Sequence, residues 1–277
     1  MSVTTGELEF AAHGGKANGA RRFGVELVRG AGKAVEALRL RFRVFQGDRG
    51  SSAARADFPV DCDRFDQFCD HLIIRDLRTG RIAGTYRLLG QEAARLAGGF
   101  YSETEFDLGS IRGLAGRVLE VGRACVDPDY RSGAVISALW AGLFNYIVAH
   151  EYDYVIGCGS VPLAHGRRLA AAICRTLLEG HLSPTGFRAR PYRRYPIGEF
   201  DLNADERERA TAALPPLIKG YLRLGAWVCG EPAWDAEFDV ADMLILLPMA
   251  RLNGRYASHY RRGTSGWPPP QADSISC

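Results

Sequence analysis

The sequence predicts one mixed α/β domain. A hairpin of two strands comes early in the chain and the later strands alternate with helices, which is the order expected of such a protein. No internal repeat and no linker divides the 277 residues into two cores. We assign residues 21–260 to the domain, residues 1–20 to an N-terminal arm, and residues 261–277, with three consecutive prolines, to a tail.

The composition, with 47% hydrophobic and 24% charged residues, is that of an ordinary globular protein. A formal net charge of only +3, with both signs interspersed, argues against nucleic acid as a partner. Seven cysteines without a Cys-x-x-Cys pair indicate reduced thiols, and the N-terminus lacks a signal-peptide pattern, so we expect a cytoplasmic protein. The longest apolar run, residues 134–149, is too short to span a bilayer and predicts a buried helix; a peripheral contact at the inner face of the membrane stays open.

In the first half, apolar residues recur at three- and four-residue steps from Val35 to Phe45, which predicts a helix with one face in the core. A polar, Gly/Ser/Asp-rich stretch follows and is typical of a long loop. Gly80 supplies the turn between two apolar runs that read as a hairpin. The predicted elements are a strand at 21–28, a helix at 34–45, a loop at 46–66 and strands at 68–76 and 81–89.

The second half continues with alternating strands and helices. Its predicted elements are a helical turn at 101–108, a strand at 118–126, a helix at 132–151, a strand at 154–158, helices at 164–182 and 205–224, and strands at 227–230 and 242–247. Pro215 and Pro216 must break or kink the helix at 205–224, because proline has no backbone N–H to donate.

Glu120 and Arg123 are the first candidates for chemistry. They lie three residues apart on the predicted strand 118–126, so they point to opposite faces unless a bulge between them re-aims one side chain. A carboxylate in an otherwise apolar strand is costly unless it is paired, or unless its raised pKa suits a general base. The spacing alone leaves both a structural ion pair and a catalytic base open.

The stretch Tyr130-Arg131-Ser132-Gly133 stands directly before a predicted helix. Free N–H groups at the helix start, the positive end of the helix dipole and a glycine that allows close approach are the parts of a phosphate site. A plain turn with a helix cap uses the same residues, so both interpretations stay open.

Two acids, Asp63 and Asp66, end the polar loop. They favour an acidic pocket for a cationic substrate, with a solvated charged turn as the alternative. Cys62, Cys69 and His71 lie nearby, but their spacing matches no pattern of zinc ligands, so we expect no metal site.

The densest basic cluster suits either a solvated loop or a dock for an acidic protein. It consists of Arg188, Arg190, Arg193 and Arg194. Nucleic acid is the least favoured partner because no nucleic-acid-binding module accompanies the cluster. Cys125 has no histidine near it in the sequence, which favours a buried structural thiol over a nucleophile.

Together these motifs resemble known families. Residues 120–133 are similar to the acyl-donor site of the GNAT N-acyltransferases, and four motifs appear in the order found in acyl-homoserine lactone synthases: Arg41-x-x-x-Phe45, Asp63-x-x-Asp66, Arg87-Leu88-Leu89 and Glu120-x-x-Arg123. A fuller set resembles the bacterial L-ornithine Nα-acyltransferases, at residues 65–72, 84–89, 100–106, 119–123, 219–226, 230–235 and 241–247. The phosphate loop is shorter than the usual GNAT pattern, which suits the single phosphate of a phosphopantetheine arm.

The resemblance implies a GNAT-like fold, the acyl-CoA N-acyltransferase fold: a central mixed, mostly antiparallel sheet flanked by helices, with a C-terminal extension of helices and strands. It also implies the site. Catalytic roles fall to Glu120 and Arg123, acceptor binding to Arg41, Phe45, Asp63, Asp66 and Arg87, donor binding to Ala124, Cys125, Val126, Arg131, Ser132, Gly133 and Ala134, and carrier docking to Arg188, Arg190, Arg193 and Arg194.

The implied activity is acyl transfer from acyl carrier protein to the α-amine of L-ornithine, giving lyso-ornithine lipid. The acyl thioester is then a co-substrate, and no cofactor is expected. Two alternatives stay open: an enzyme like an acyl-homoserine lactone synthase, and a non-catalytic GNAT-like module that binds an acyl group.

Overall fold

A computed structural model describes residues 22–47, 59–131 and 133–252. The arm at residues 1–20 and the tail at 261–277 lie outside these ranges. The strands are β1 (Phe23–Arg29), β2 (Asp70–Asp76), β3 (Ile82–Gly90), β4 (Phe106–Asp107), β5 (Val118–Val126), β6 (Tyr154–Pro162), β7 (Arg190–Pro191), β8 (Trp227–Val228), β9 (Ala233–Asp235) and β10 (Val240–Pro248). The helices are α1 (Val35–Gly47), α2 (Gln91–Leu96), α3 (Gly133–Ala149), α4 (Arg167–His181), α5 (Ala204–Ala212) and α6 (Pro216–Leu224).

The chain groups into two compact units, one of residues 1–87 with 123–144 and one of residues 88–122 with 145–277. In the first unit the strand order is β1-β2-β3-β5, and β1 pairs with β2 in antiparallel register from Phe23 opposite Asp76 to Arg29 opposite Asp70. Its core brings the apolar face of α1 together with β2 and β3 through Leu40, Ile73 and Ile82.

In the second unit the strand order is β5-β6-β10-β8, with β9 also paired to β10. The pair β5–β6 is parallel, whereas β10 is antiparallel to β6, β8 and β9. The expected mixed, mostly antiparallel sheet with flanking helices is therefore confirmed. No helix within the described ranges is both long enough and apolar enough to cross a membrane.

Several element boundaries differ from the sequence-based prediction. The break predicted inside the helix at 205–224 is confirmed: the segment forms two helices, α5 and α6, because Pro216 takes the first position of α6, where its missing N–H costs nothing. The basic segment predicted as a loop contains the short strand β7, which pairs with β4. Helix α2 has no counterpart in the prediction, since six residues are too few to show a helical period.

Candidate active site

The ladder between β5 and β6 is short. It joins Val118, Leu119 and Glu120 to the segment Tyr154–Ile156, although β6 continues to Pro162. Glu120 therefore occupies the last position at which the two strands pair.

The carboxylate of Glu120 is buried, with 4% of the residue exposed. Its two oxygens accept backbone N–H groups from Tyr101 at 2.6 Å and from Ser102 at 2.7 Å. Both donors belong to the 3-10 turn Tyr101–Thr104. Two amide donors offset the cost of removing the carboxylate from water and fix the direction of the side chain.

Tyr101 and Ser102 are functional positions that the sequence reasoning missed. They act through backbone N–H groups, which every residue except proline carries. No side-chain motif could have identified them; their one signal was their place in the segment 100–106 that carries the family resemblance.

Arg123 lies in the left-handed region of the backbone, with φ of 51° in the middle of β5. This is the local irregularity that a bulge introduces into a strand. A residue with a side chain is strained there by about 1 kcal/mol or more. The guanidinium group lies 3.4 Å from Asp63 and 3.9 Å from Asp61, and these ion pairs hold it in place.

The first unit contains a network of arginines and aspartates. Arg41, with 1% of the residue exposed, donates to Asp61 at 2.7 Å and to Asp66 at 2.6 Å. Arg87 donates to Asp63 at 2.7 Å and lies 3.4 Å from Asp66. The side chain of Asp66 is completely buried, whereas that of Asp63 is 25% exposed. The structure thus brings four of the five predicted acceptor residues together and leaves Asp63 the more accessible carboxylate.

The protonation of this network follows from its pairing. Burial alone would raise the pKa of Asp66, but the hydrogen bond and charge of Arg41, with the charge of Arg87, lower it to about 2. At Arg87, the charges of Asp63 and Asp66 outweigh burial and hold its pKa above the ordinary value. At neutral pH Asp66 and Arg87 are therefore both charged.

Phe45, the fifth predicted acceptor residue, is half-buried on α1 and packs against the core that contains Cys125. Burial raises the pKa of the Cys125 thiol to about 12. The group is therefore a neutral thiol at physiological pH, as a structural cysteine would be. His71 is also buried, and burial lowers its pKa, so its ring is neutral.

The predicted donor loop comes directly before α3. Arg131, Gly133 and Ala134 are exposed, and Ser132 lies outside the described residues. Helix α3 begins at Gly133, so its N-terminal amides follow Arg131 closely in the chain. This is the order of groups that an anion site at a helix N-terminus requires.

The basic cluster contains one half-buried arginine and three exposed arginines. Arg188 is half-buried and donates to the backbone oxygen of Ser183 at 2.6 Å. Arg190, Arg193 and Arg194 are exposed. Arg193 stacks on the indole ring of Trp234 at 4.1 Å, and Arg194 pairs with Glu231 at 2.9 Å.

Comparison with known proteins relates this arrangement to a family. A model of the acetyltransferase (GNAT) domain matches residues 40–141. An L-ornithine N(alpha)-acyltransferase of Brucella abortus is 37% identical over 81% of this chain and 83% of its own length. The protein of the same name from Rhodobacter capsulatus is 34% identical over 87% of this chain and 96% of its own length.

Among solved structures, a CoA-dependent acyl-homoserine lactone synthase, BjaI with MTA, aligns with a TM-score of 0.51 and 13% identity, over 91% of this chain and 94% of that chain. At this identity the likeness supports the fold alone, and it agrees with the GNAT-like sheet described above. The sequence relatives, each more than 30% identical over most of both chains, decide the family. The chain therefore belongs to the family of L-ornithine N(alpha)-acyltransferases.

Proposed function

We propose that this protein transfers a 3-hydroxyacyl chain from acyl carrier protein to the α-amine of L-ornithine and so forms lyso-ornithine lipid. Membership of the family supports the acyltransferase activity and the acceptor. The observation that carries the chemistry is Glu120, a buried carboxylate held in a fixed direction by two backbone amides at the end of the β5–β6 ladder.

The reaction needs a base because the amine of an amino acid is protonated at neutral pH and cannot attack until it loses its proton. In the proposed mechanism Glu120 takes that proton, directly or through one water. The free amine then attacks the thioester carbon and the tetrahedral oxyanion collapses. The C–S bond breaks, and the pantetheine thiolate leaves and takes up the second proton that the nitrogen loses as it becomes an amide. Backbone N–H groups near Ala124 and Val126 are assigned to the oxyanion, and Cys125 between them contributes packing rather than a covalent intermediate.

On the acceptor side we assign the contact to Asp63, because its carboxylate is the more exposed of the two predicted acids. Asp66 and Arg41 are buried beneath it and support the network, with Phe45 packed alongside. Arg87 and Arg123 both approach Asp63, at 2.7 and 3.4 Å, and so fix its position.

On the donor side, Arg131 and the amides of Ser132, Gly133 and Ala134 are assigned to the single phosphate of the pantetheine arm. Carrier proteins are acidic, so the exposed Arg190, Arg193 and Arg194 are assigned to docking, with Arg188 as an internal support. The thioester is a co-substrate, and the proposal uses no cofactor and no metal.

One experiment tests donor and acceptor together. Purified protein is incubated with 3-hydroxyacyl carrier protein or the matching acyl-CoA, against ornithine, lysine or S-adenosylmethionine, and products are identified by mass spectrometry. We expect N-acylornithine from the carrier-protein donor. An acyl-homoserine lactone would favour the synthase alternative, and no turnover with any pair would favour the binding module.

The base assignment is tested with Glu120→Gln, which keeps the size of the side chain and removes the basic oxygen. With saturating substrates we expect kcat to fall by about 100-fold or more. Circular dichroism and the thermal midpoint check that the fold is retained. Unchanged kcat would disprove the assignment.

Docking is tested by replacing Arg193 and Arg194 with alanine. At low salt we expect KM for the acyl carrier protein to rise by about three- to tenfold, and the difference from wild type to vanish at high salt. Arg168→Ala is a matched control because Arg168 is an exposed arginine of α4 that pairs with Glu206. If the variant without Arg193 and Arg194 and the Arg168→Ala control had the same KM, and that KM did not change with salt, Arg193 and Arg194 would have no role in docking.

A further inference from the structure

Three carboxyl groups of the second unit, outside all the roles assigned above, lie against one another. Glu105 follows the turn Tyr101–Thr104, Asp235 ends β9 and Asp242 lies on β10. Their oxygens come within 4.8 Å of one another. Asp242 is 3% exposed, and the Ser160 hydroxyl donates to it at 2.6 Å.

The carboxyl cluster shares a face of the sheet with Glu120. Asp242 pairs with Ser160, and Glu120 pairs with Ile156. Because side chains alternate along a strand, Ile156, Cys158 and Ser160 of β6 point to one face. Cys158 therefore lies between Glu120 and Asp242 on that face, which fits the influence of both carboxyl groups on its thiol.

Carboxyl groups at such separations cannot all be ionised, because the charged forms repel each other in a medium of low polarity. Burial raises the pKa of Glu105 to about 9, and the charges of Asp242 and Asp235 add to the effect. Among the described residues, no N–H or O–H group donates to either carboxyl oxygen of Glu105. At neutral pH Glu105 therefore keeps its proton and can donate it to Asp242.

Glu105 is also tied to the turn that holds Glu120. Its backbone N–H donates to the carbonyl of Ser102 at 3.2 Å and closes the turn. At the opposite end, Glu103 accepts the Phe100 N–H at 3.0 Å and a guanidinium N–H of Arg112 at 2.7 Å. One end of the turn is thus fixed by an ion pair, and the other continues into the carboxyl cluster, in which Asp242 is buried and Glu105 and Asp235 are half-buried.

We propose that Glu105 is a positioning residue for the acyl transfer: by sharing a proton with Asp242 it anchors the turn whose amides hold Glu120. Loss of the shared proton places two like charges side by side, loosens the anchor and misdirects the Glu120 carboxylate. The catalytic part of this inference rests on the proposed role of Glu120, whereas the proton-sharing pair stands without it.

The groups that face Glu105 determine its pH dependence. They are Asp242 on β10, Asp235 on β9, Tyr101 in the turn and Cys158 on β6. Burial, with the nearby carboxyl groups, raises the pKa of Cys158 well above its ordinary value, so this thiol stays neutral while Glu105 titrates. Since the pKa of Glu105 is raised on folding, its effect on stability is absent at low pH and grows unfavourable as pH rises from the ordinary carboxyl value to about 9.

The first test measures the thermal midpoint between pH 5 and pH 10, so it does not depend on activity. We expect the wild-type thermal midpoint to fall by about 5 °C or more across this range. In Glu105→Gln, the fall that results from ionisation of Glu105 should be absent. Glu92→Gln is the matched control, because Glu92 is an exposed acid of α2 paired with Arg95, and it should follow the wild type. If the thermal midpoint of Glu105→Gln followed that of the wild type across the pH range, the proposed sharing of a proton between Glu105 and Asp242 would be wrong.

The second test follows kcat against pH with saturating substrates. We expect Glu105→Ala to lower kcat by about tenfold with little change in KM, and Glu105→Gln, which can still donate to Asp242, to recover most of it and to lose the alkaline fall of the wild type. Equal losses in both variants, or a rise in KM alone, would overturn the positioning role.

The two proposals fail in different ways. If Glu120→Gln keeps full kcat while Glu105→Gln still flattens the thermal profile, the base assignment and the positioning role are wrong and the proton-sharing pair is supported. If Glu120→Gln loses activity and Glu105→Gln changes neither profile, the base is supported and the inference about Glu105 is wrong.

Discussion

The two units of the protein place buried acids in opposite surroundings. In the first unit, Asp66 accepts hydrogen bonds from Arg41 and Arg87, and its pKa is lowered to about 2. In the second unit, Glu105 lies against Asp235 and Asp242, and its pKa is raised to about 9. The same type of side chain thus remains charged in one unit and protonated in the other.

This difference separates two tasks. An acid surrounded by guanidinium groups keeps one charge state over the whole physiological range, so it can serve as fixed scaffolding for an acceptor site. Acids grouped together hold a proton at neutral pH that can be lost at alkaline pH, which is the property required for proton handling. Variants that change either the acid or its partners show whether the surroundings of a carboxyl group determine its charge state.

Removing the central cation of the first unit should have the largest effect. Arg41→Met keeps the apolar stem but leaves Asp66 and Asp61 without their shortest ion pairs, and we expect a loss of about 3–5 kcal/mol in the free energy of unfolding by urea. Arg43→Met is the control, since Arg43 is 59% exposed and lies 3.5 Å from Asp127. Similar losses in the two variants would show that the buried network is not the source of the stability.

Acid titration of the first unit should have a smaller effect. The lowered pKa of Asp66 contributes stability above the ordinary carboxyl pKa, and this contribution of about 2 kcal/mol is lost as pH falls from about 4 to about 2. Asp66→Asn should lack this loss, whereas exposed Asp129→Asn should retain it. Stability is thus lost as pH falls for Asp66, whereas it is lost as pH rises for Glu105. If Asp66→Asn lost as much stability as the wild type between about pH 4 and about pH 2, the contrast between the two acids would be wrong.

The smallest effect concerns the backbone at Arg123. Both Arg123→Gly and Arg123→Ala remove the ion pairs with Asp61 and Asp63, but glycine tolerates the left-handed conformation. We expect the glycine variant to be more stable than the alanine variant by about 1 kcal/mol. At the neighbouring Ala124, the change to glycine should instead destabilise the strand. If Arg123→Ala were the more stable variant, the backbone at residue 123 would leave the left-handed conformation when the arginine side chain is removed.

Local pattern predicts much of the fold. Strand β5 is observed at the predicted residues 118–126, because an apolar run bounded by Arg117 and Pro128 leaves little freedom in its length. The break at Pro215 and Pro216 also follows from chemistry that a single residue determines. The spacing of Glu120 and Arg123 left a regular strand and a bulged strand open, and the positive φ of Arg123 shows that the strand is irregular there.

The surroundings of the acids could not be predicted in this way. Arg41 and Asp66 are distant in sequence, and only folding shows that the one neutralises the other. Glu105 stands in an unremarkable acidic segment, and its raised pKa depends on β9 and β10, which come much later in the chain. A pKa is a property of the folded neighbourhood, so the sequence can nominate an acid but cannot assign its charge.

The first unit is built from two separate stretches of chain, and this affects how it is made on the ribosome. Arg41, Asp61, Asp66 and Arg87 are all synthesised before residues 88–122, so they leave the ribosome before Arg123 does. At ordinary rates of synthesis, Arg123 is made roughly 2–7 seconds after Arg87, and the end of α3 roughly 3–12 seconds after it. Until then the nascent unit lacks its part of β5 and helix α3, so the ion pairs of Arg123 with Asp61 and Asp63 are the last contacts of the network to form.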